Sequence, residues 1–162
     1  MANLDDVRNI AAGLSSCWKS LEGPTSEDLI SELEHRLKAP LPKAYRNFIS
    51  AFGRGGIFGS NVFGISTRRD PQDPWFECAE MNETARSEWG YPNQLIIIGG
   101  VGDGDYYALD IRDQNVEPPV VIWPSGASGW DDVEVVARDF FTFVVDWFQS
   151  AAEAIPESPN PG

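Results

Sequence analysis

The segment with the most apparent chemistry is Gly99-Gly100-Val101-Gly102-Asp103-Gly104-Asp105. A dinucleotide loop needs three glycines, G-x-G-x-x-G, so that backbone can approach a pyrophosphate at a helix N-terminus. Here Gly100-x-Gly102-x-x-Asp105 puts a carboxylate where the third glycine belongs, and the segment runs into a strand pattern. A negative side chain repels phosphate, so the nucleotide reading fails. A calcium loop opening at Asp103 has Asp105 in place, but Ala108 stands at position six instead of glycine and Gln114 at position twelve instead of glutamate. The reading kept is a hairpin turn whose glycines and aspartates take unusual dihedrals. Its alternative is an irregular, weak cation site at Asp103, Asp105 and Asp110.

Other chemistry is thin. The one histidine, His35, lies between Glu34 and Arg36 on the polar side of a helix pattern, and no serine or cysteine constellation points to it. Zinc sites need several histidine or cysteine ligands close together, whereas His35, Cys17 and Cys78 are widely spread. Carboxylates are so abundant that a pair suited to glycoside chemistry carries no signal. No catalytic, cofactor-binding or metal-ligating residue is assigned, and no enzymatic activity is expected.

What remains is tryptophan beside acid. Trp75 follows Asp70-Pro-Gln-Asp73-Pro, with Glu77 just after it. Trp123 and Trp130 flank Pro124-Ser125-Gly126-Ala127-Ser128-Gly129, and Asp131-Asp132 follow. Such residues in loops suit a protein-binding hot spot; the alternative is that each tryptophan covers an edge of the core. The candidate partner-binding set is Asp70, Asp73, Trp75, Glu77, Asp103, Asp105, Trp123, Trp130, Asp131 and Asp132.

Charge supports that choice. The formal net charge is −13, which argues against a nucleic-acid partner, because no cationic footprint for phosphate exists. Residues 1–70 hold eight acids and nine Lys/Arg, whereas residues 71–162 hold 17 acids and three Lys/Arg. The segregated acid is either a solvated surface or a face that steers a basic partner.

The elements that must position these residues follow from periodicity. Leu4, Val7, Ala11, Leu14, Trp18 and Leu21 recur at helical spacing behind an Asn3 cap and predict a helix to about Ser20. A second helix opens at Thr25-Ser26, with Leu29, Ile30, Leu33 and Leu37 inward, and ends before Pro40. A third follows Pro42, with Tyr45, Phe48, Ile49 and Phe52 on one side and a glycine C-cap at Gly53 or Gly55. Short strands at Ile57-Phe58 and Asn61–Ile65, a loop over 66–74 and a helical stretch from Trp75 to Trp89 come next. Phe76, Ala79, Met81 and Ala85 are that stretch's inward candidates. Leu95–Ile98, Tyr106–Ile111 and Val120–Trp123 read as strands, and Val133–Val136 as either a short strand or an entry segment. A final helix carries Phe140, Phe141, Val144, Val145, Trp147 and Phe148 around a narrow polar stripe.

The length of 162 residues suits one domain, 1–155, with a proline-rich tail at 156–162. Two cysteines outside any CxxC pair read as reduced thiols, and the N-terminus lacks a basic and an apolar signal region. No apolar run approaches the roughly 20 residues a bilayer span requires. A cytoplasmic monomer or weak dimer, without membrane or nucleic-acid partners, is the expectation.

One order of segments stands out: Leu41-Pro42-x-x-Tyr45-x-x-Phe48-Ile49, then Ile96-Ile97-Ile98-Gly99-x-x-Gly102-Asp103-Gly104-Asp105-Tyr106-Tyr107-x-Leu109-Asp110. Pro119–Trp123 and Ala137-x-Asp139-Phe140-x-x-Phe143 follow. This order resembles the SUKH superfamily of fungal cell-wall-synthesis regulators and bacterial immunity proteins. The resemblance spans roughly residues 25–150; the long first helix and the segment 66–90 depart from it. It implies an α+β fold with a mixed, mostly antiparallel sheet flanked by helices. It also implies a binding role, the neutralising of a cognate protein toxin, with no catalytic residues and no cofactor to carry over. A regulatory or scaffold module is the alternative, and a small hydrolase with a carboxylate site is a third class.

Overall fold

The computed structural model describes residues 1–66 and 77–156. The expected loop over 66–74 past Ser66, the candidates Asp70, Asp73, Trp75 and Phe76, and tail residues 157–162 lie outside the described residues.

Side-chain caps at Asn3, Ser26 and Asp139 open three of the helices. In helix α1 (Leu4–Ala12), Asn3 Oδ1 accepts from the Asp5 and Asp6 amides at 2.9 and 3.3 Å, and Asp6 Oδ2 accepts from the Asn3 amide at 2.8 Å. This reciprocal box satisfies donors that a helix start otherwise leaves open. The helix stops at Ala12, eight residues short of the Ser20 expected from its apolar stripe. Gly13 forms the C-cap, and the chain then makes one 3-10 turn at Ser16–Trp18. Beyond it, strand pairing replaces helix: the Ser20 amide donates to Gly56 O and the Phe58 amide to Trp18 O, both at 2.9 Å. Gly55, with φ +113°, permits that approach, because a Cβ there would lie 2.1 Å from Ser20 O.

Helix α2 (Glu27–Leu37) is capped by Ser26 and closes with Lys38 in the left-handed region. Ile30, Leu33 and Leu37 face inward as expected, but Leu29 is 41% exposed, one position round from the buried stripe. Helix α3 (Lys43–Phe52) buries Tyr45, Phe48 and Ile49, and the Gly53 amide closes it on Ile49 O. Strands β1 (Gly55–Ile57) and β2 (Ser60–Val62) form an antiparallel hairpin. The strand expected through Ile65 ends at Val62, and the Phe63 amide donates instead to Ile98 O at 2.8 Å, tying the hairpin to the main sheet.

Helix α4 (Cys78–Glu88) precedes that sheet, which comprises β3 (Leu95–Gly100), β4 (Tyr106–Asp110), β5 (Val120–Trp123) and β6 (Glu134–Ala137). The order is β3-β4-β5-β6 and every neighbouring pair is antiparallel, while a parallel bridge joins Gly64 to Glu77. The architecture is α+β. Successive strand side chains point to opposite faces. Tyr107 on one face meets Phe143 and Trp147 of helix α5 (Phe140–Glu153), with ring centroids 4.6 and 5.3 Å apart. Phe48, Phe140 and Phe148, all fully buried, fasten α3 to α5, and each such ring contributes about 1.5–3 kcal/mol of burial.

The α4 side of β3 is closed by an unexpected device. Asn82 is 1% exposed, and its side-chain amide acts as a short length of neighbouring strand. Its Oδ1 accepts from the Ile97 amide at 2.7 Å, and its Nδ2 donates to Ile97 O at 3.1 Å and Cys78 O at 2.8 Å. Arg86, one turn later, donates to Leu37, Asn93 and Leu95 carbonyls at 2.7–3.2 Å, joining the end of α2 to the start of β3.

Candidate partner-binding cleft

The opposite face of β4 and β5 carries the aromatic row. Tyr106 and Trp123 are cross-strand partners at one end of the sheet, so their side chains leave the same face. Trp89 and Tyr91, on the turn that ends α4, come down beside them. Trp89 stacks on Tyr106 with centroids 5.6 Å apart and planes 10° off parallel. Tyr91 packs on Trp123 at 6.3 Å, and its hydroxyl donates to Trp123 O at 3.3 Å. Trp123 meets Trp130 edge-on at 5.4 Å, and the Arg112 guanidinium lies 3.8 Å over the Trp130 ring. The same guanidinium binds Asp110 at two points, Nε to Oδ1 at 3.0 Å and Nη2 to Oδ2 at 2.8 Å.

Between Trp89 and the loop 124–127 lies a cleft of about 410 Å³, lined by Trp89, Tyr91, Tyr106, Trp123, Ser125 and neighbouring glycines. Two carboxylates brace the chain that forms its far side. Asp105 Oδ1 accepts from the Ser125 amide at 3.0 Å and its hydroxyl at 2.8 Å. Asp132 Oδ2 accepts from the Ser128 amide at 2.8 Å and its hydroxyl at 3.0 Å, which holds the Asp132 carboxyl below its ordinary range. Ser125 and Ser128 are thus both moored to aspartates, and Gly126, at φ +80°, turns between them. Asp103 accepts from the Asp105 amide at 3.0 Å and shapes the adjoining turn.

The sequence-derived candidates therefore divide. Asp103, Asp105, Trp123, Trp130, Asp131 and Asp132 gather around the cleft loop. Trp123 is only 8% exposed and forms the floor, and Trp130 sits between it and Arg112. Asp131 stays exposed. Glu77 lies elsewhere: it accepts from the Ser66 amide at 2.8 Å and pairs with Arg54 at 3.3 Å. Trp89, Tyr91 and Tyr106 were missed. Trp89-Gly90-Tyr91, aromatics on both sides of a helix-ending glycine, was the available signal.

The proposed cation group does not assemble, because Asp103, Asp105 and Asp110 each take a different partner. Among the described residues no cluster of three His, Cys, Asp or Glu side chains is placed to hold a metal. Cys17 is exposed and Cys78 buried, its thiol pushed up to about 12 by burial. Among the described residues no helix is long and apolar enough to cross a membrane.

Burial, then the charge of Asp105, pushes the Tyr91 phenol up to about 12. A folded value above the unfolded one near 10 means stability that is complete below pH 10 and lost as pH rises from 10 to 12. Alkaline titration followed at 295 nm is expected to show a tyrosine ionising near 12, with unfolding setting in over that window. The Tyr91→Phe variant is expected to lose less stability there; an identical profile would contradict the assignment.

The profile of the SUKH family described as SMI1-KNR4 cell-wall matches residues 27–144. The chain is also similar to a crystal structure of a protein from Pseudomonas syringae pv. tomato. That likeness has a TM-score of 0.57 at 20% identity, over 75% of this chain and 83% of that one. At such identity it bears on the fold alone.

Proposed function

The chain belongs to the SMI1-KNR4 cell-wall family of SUKH proteins, and from that membership we propose that it is an immunity protein. It binds a cognate, basic, nuclease-like protein toxin of an interbacterial system and blocks it, without catalysis of its own. It works in the cytoplasm as a monomer or weak dimer. One observation carries this reading: four acids of the later chain, Asp103, Asp105, Asp131 and Asp132, flank the loop beside a cleft floored by aromatic rings. The three cations of that part are already engaged, Arg86 with backbone carbonyls, Arg112 with Asp110 and Arg138 with Asp139 at 3.4 Å. The face is therefore left negative. Complementary charge of this kind raises association rates roughly 10–10³-fold and is screened by salt.

The family's description as a cell-wall family favours a second reading, a regulatory interaction module without a toxin partner. Co-expression separates the two. Where a neighbouring gene encodes a large secreted toxin, cells making that toxin are expected to survive when this chain is present and to die without it. Equal killing in both would sink the immunity reading.

A further inference from the structure

We propose that the cleft captures an arginine side chain of the partner, with the guanidinium against the Trp89–Tyr106 pair and its charge met by Asp105. This deepens the binding role proposed above and rests on it. The protein contains an arrangement of the same parts one step along the row. At Trp130 an indole face, a guanidinium 3.8 Å above it and a carboxylate gripping that guanidinium at two points form a closed set, all from this chain. At the cleft the aromatic surface recurs, no cationic side chain is among the lining residues, and Asp105 stands next to that lining, bonded to its Ser125.

Three features fit the side chain named. Trp89 is 42% exposed at the rim, so its ring is reachable, and its stack on Tyr106 holds it in place. Asp105 spends Oδ1 on Ser125, and Oδ2 takes no hydrogen bond from the described residues, leaving a fixed acceptor. The volume of about 410 Å³ admits a long side chain and part of its backbone. A planar guanidinium stacks on rings and bonds a carboxylate together, which an ammonium does less well. A second copy of this chain is a poor occupant, since two molecules of net charge −13 repel.

The probe is the pentapeptide Ac-Gly-Gly-Arg-Gly-Gly-NH2, titrated into the intact protein and followed by the indole N–H signals in ¹⁵N–¹H spectra. Peptides with citrulline or lysine in place of arginine serve as comparators. The arginine peptide is expected to shift the Trp89 indole with a roughly millimolar dissociation constant. The citrulline peptide should produce no saturable shift, and the lysine peptide should bind several-fold more weakly. Trp89→Ala, read through the remaining indoles and backbone, and Asp105→Asn, which keeps an oxygen for Ser125, should each weaken binding about tenfold. Equal shifts from the arginine and citrulline peptides, or unchanged binding in both variants with the fold intact by spectrum, would overturn the proposal. Protection of cells without arginine selectivity sinks the cleft alone. Arginine selectivity without protection sinks the immunity reading and leaves the cleft.

Discussion

Asn82→Ala is expected to lower the unfolding free energy by about 2–4 kcal/mol, a large share of the 5–15 kcal/mol typical of a domain. The variant removes a side chain that is 1% exposed and serves both the N–H and the C=O of Ile97. Those two groups lie on the edge of β3 away from β4, in a strand whose residues Leu95–Ile98 are all buried. Water does not replace the amide cheaply there, so each group bears much of its desolvation cost. Leucine in place of Asn82 restores volume but neither hydrogen bond and should be no better. The measurement is urea unfolding followed by tryptophan fluorescence. Asn93→Ala, at an exposed position, should stay within about 0.5 kcal/mol of the parent. Native-state hydrogen exchange gives a local check, since the Ile97 amide should lose protection in the variant before its strand neighbours do. A midpoint unchanged by Asn82→Ala would mean that the amide is not the edge partner of β3.

Asn82 also shows which features a sequence exposes. The helix starts at Asn3 and Ser26, the apolar stripes of α2, α3 and α5 and the strands β3, β4 and β5 are local patterns, and reading them needs only near neighbours in the chain. The end of α1 is not local: Ser20 and Trp18 leave the helical pattern because Gly56 and Phe58, almost forty residues away, offer strand pairing. Asn82 reads as an ordinary polar residue of an ambiguous helix, since its partner Ile97 lies in another element. The cleft behaves likewise. Asp103, Asp105, Asp131 and Asp132 are visible as acids beside tryptophan. That Asp105 moors Ser125, twenty residues on, depends on the register of β4 against β5. The same register puts Tyr106 beside Trp123 and so makes Trp89 the reachable ring in place of Trp123. Family membership was legible because its motifs, Leu41-Pro42-x-x-Tyr45 and Gly102-Asp103-Gly104-Asp105, are turn and packing signatures read in order along the chain.

Glu77 stands among the acids beside the tryptophan loop in the sequence, and its pairing with Arg54 predicts a second large effect. Arg54 is 6% exposed and lies between Glu22 Oε2, 3.3 Å from its Nε, and Glu77 Oε1, 3.3 Å from its Nη1. The two glutamate side chains are 14% and 15% exposed, so neither charge is well solvated. Removing one member of a buried ionic group typically costs about 3–5 kcal/mol, because the charge left behind stays desolvated. Arg54→Met is expected to fall in that range at neutral pH, since it leaves two carboxylates facing each other. Arg46→Met, whose Glu27 partner is 70% exposed, should cost under about 1 kcal/mol. The pH dependence has a definite sign. Burial already raises the Glu77 carboxyl above its ordinary 4.5, against the lowering effects of the Ser66 amide and of Arg54. Without Arg54 the folded value rises further. A carboxyl whose folded value lies above its unfolded one contributes stability below the unfolded value and loses it as pH rises. The deficit of Arg54→Met should therefore narrow as pH falls from 7 toward 4.5 and be widest at neutral pH. Urea midpoints of parent and variant across that range decide it. A deficit that is small at pH 7, or that widens in acid, would return Glu77 to the surface acids available to a partner.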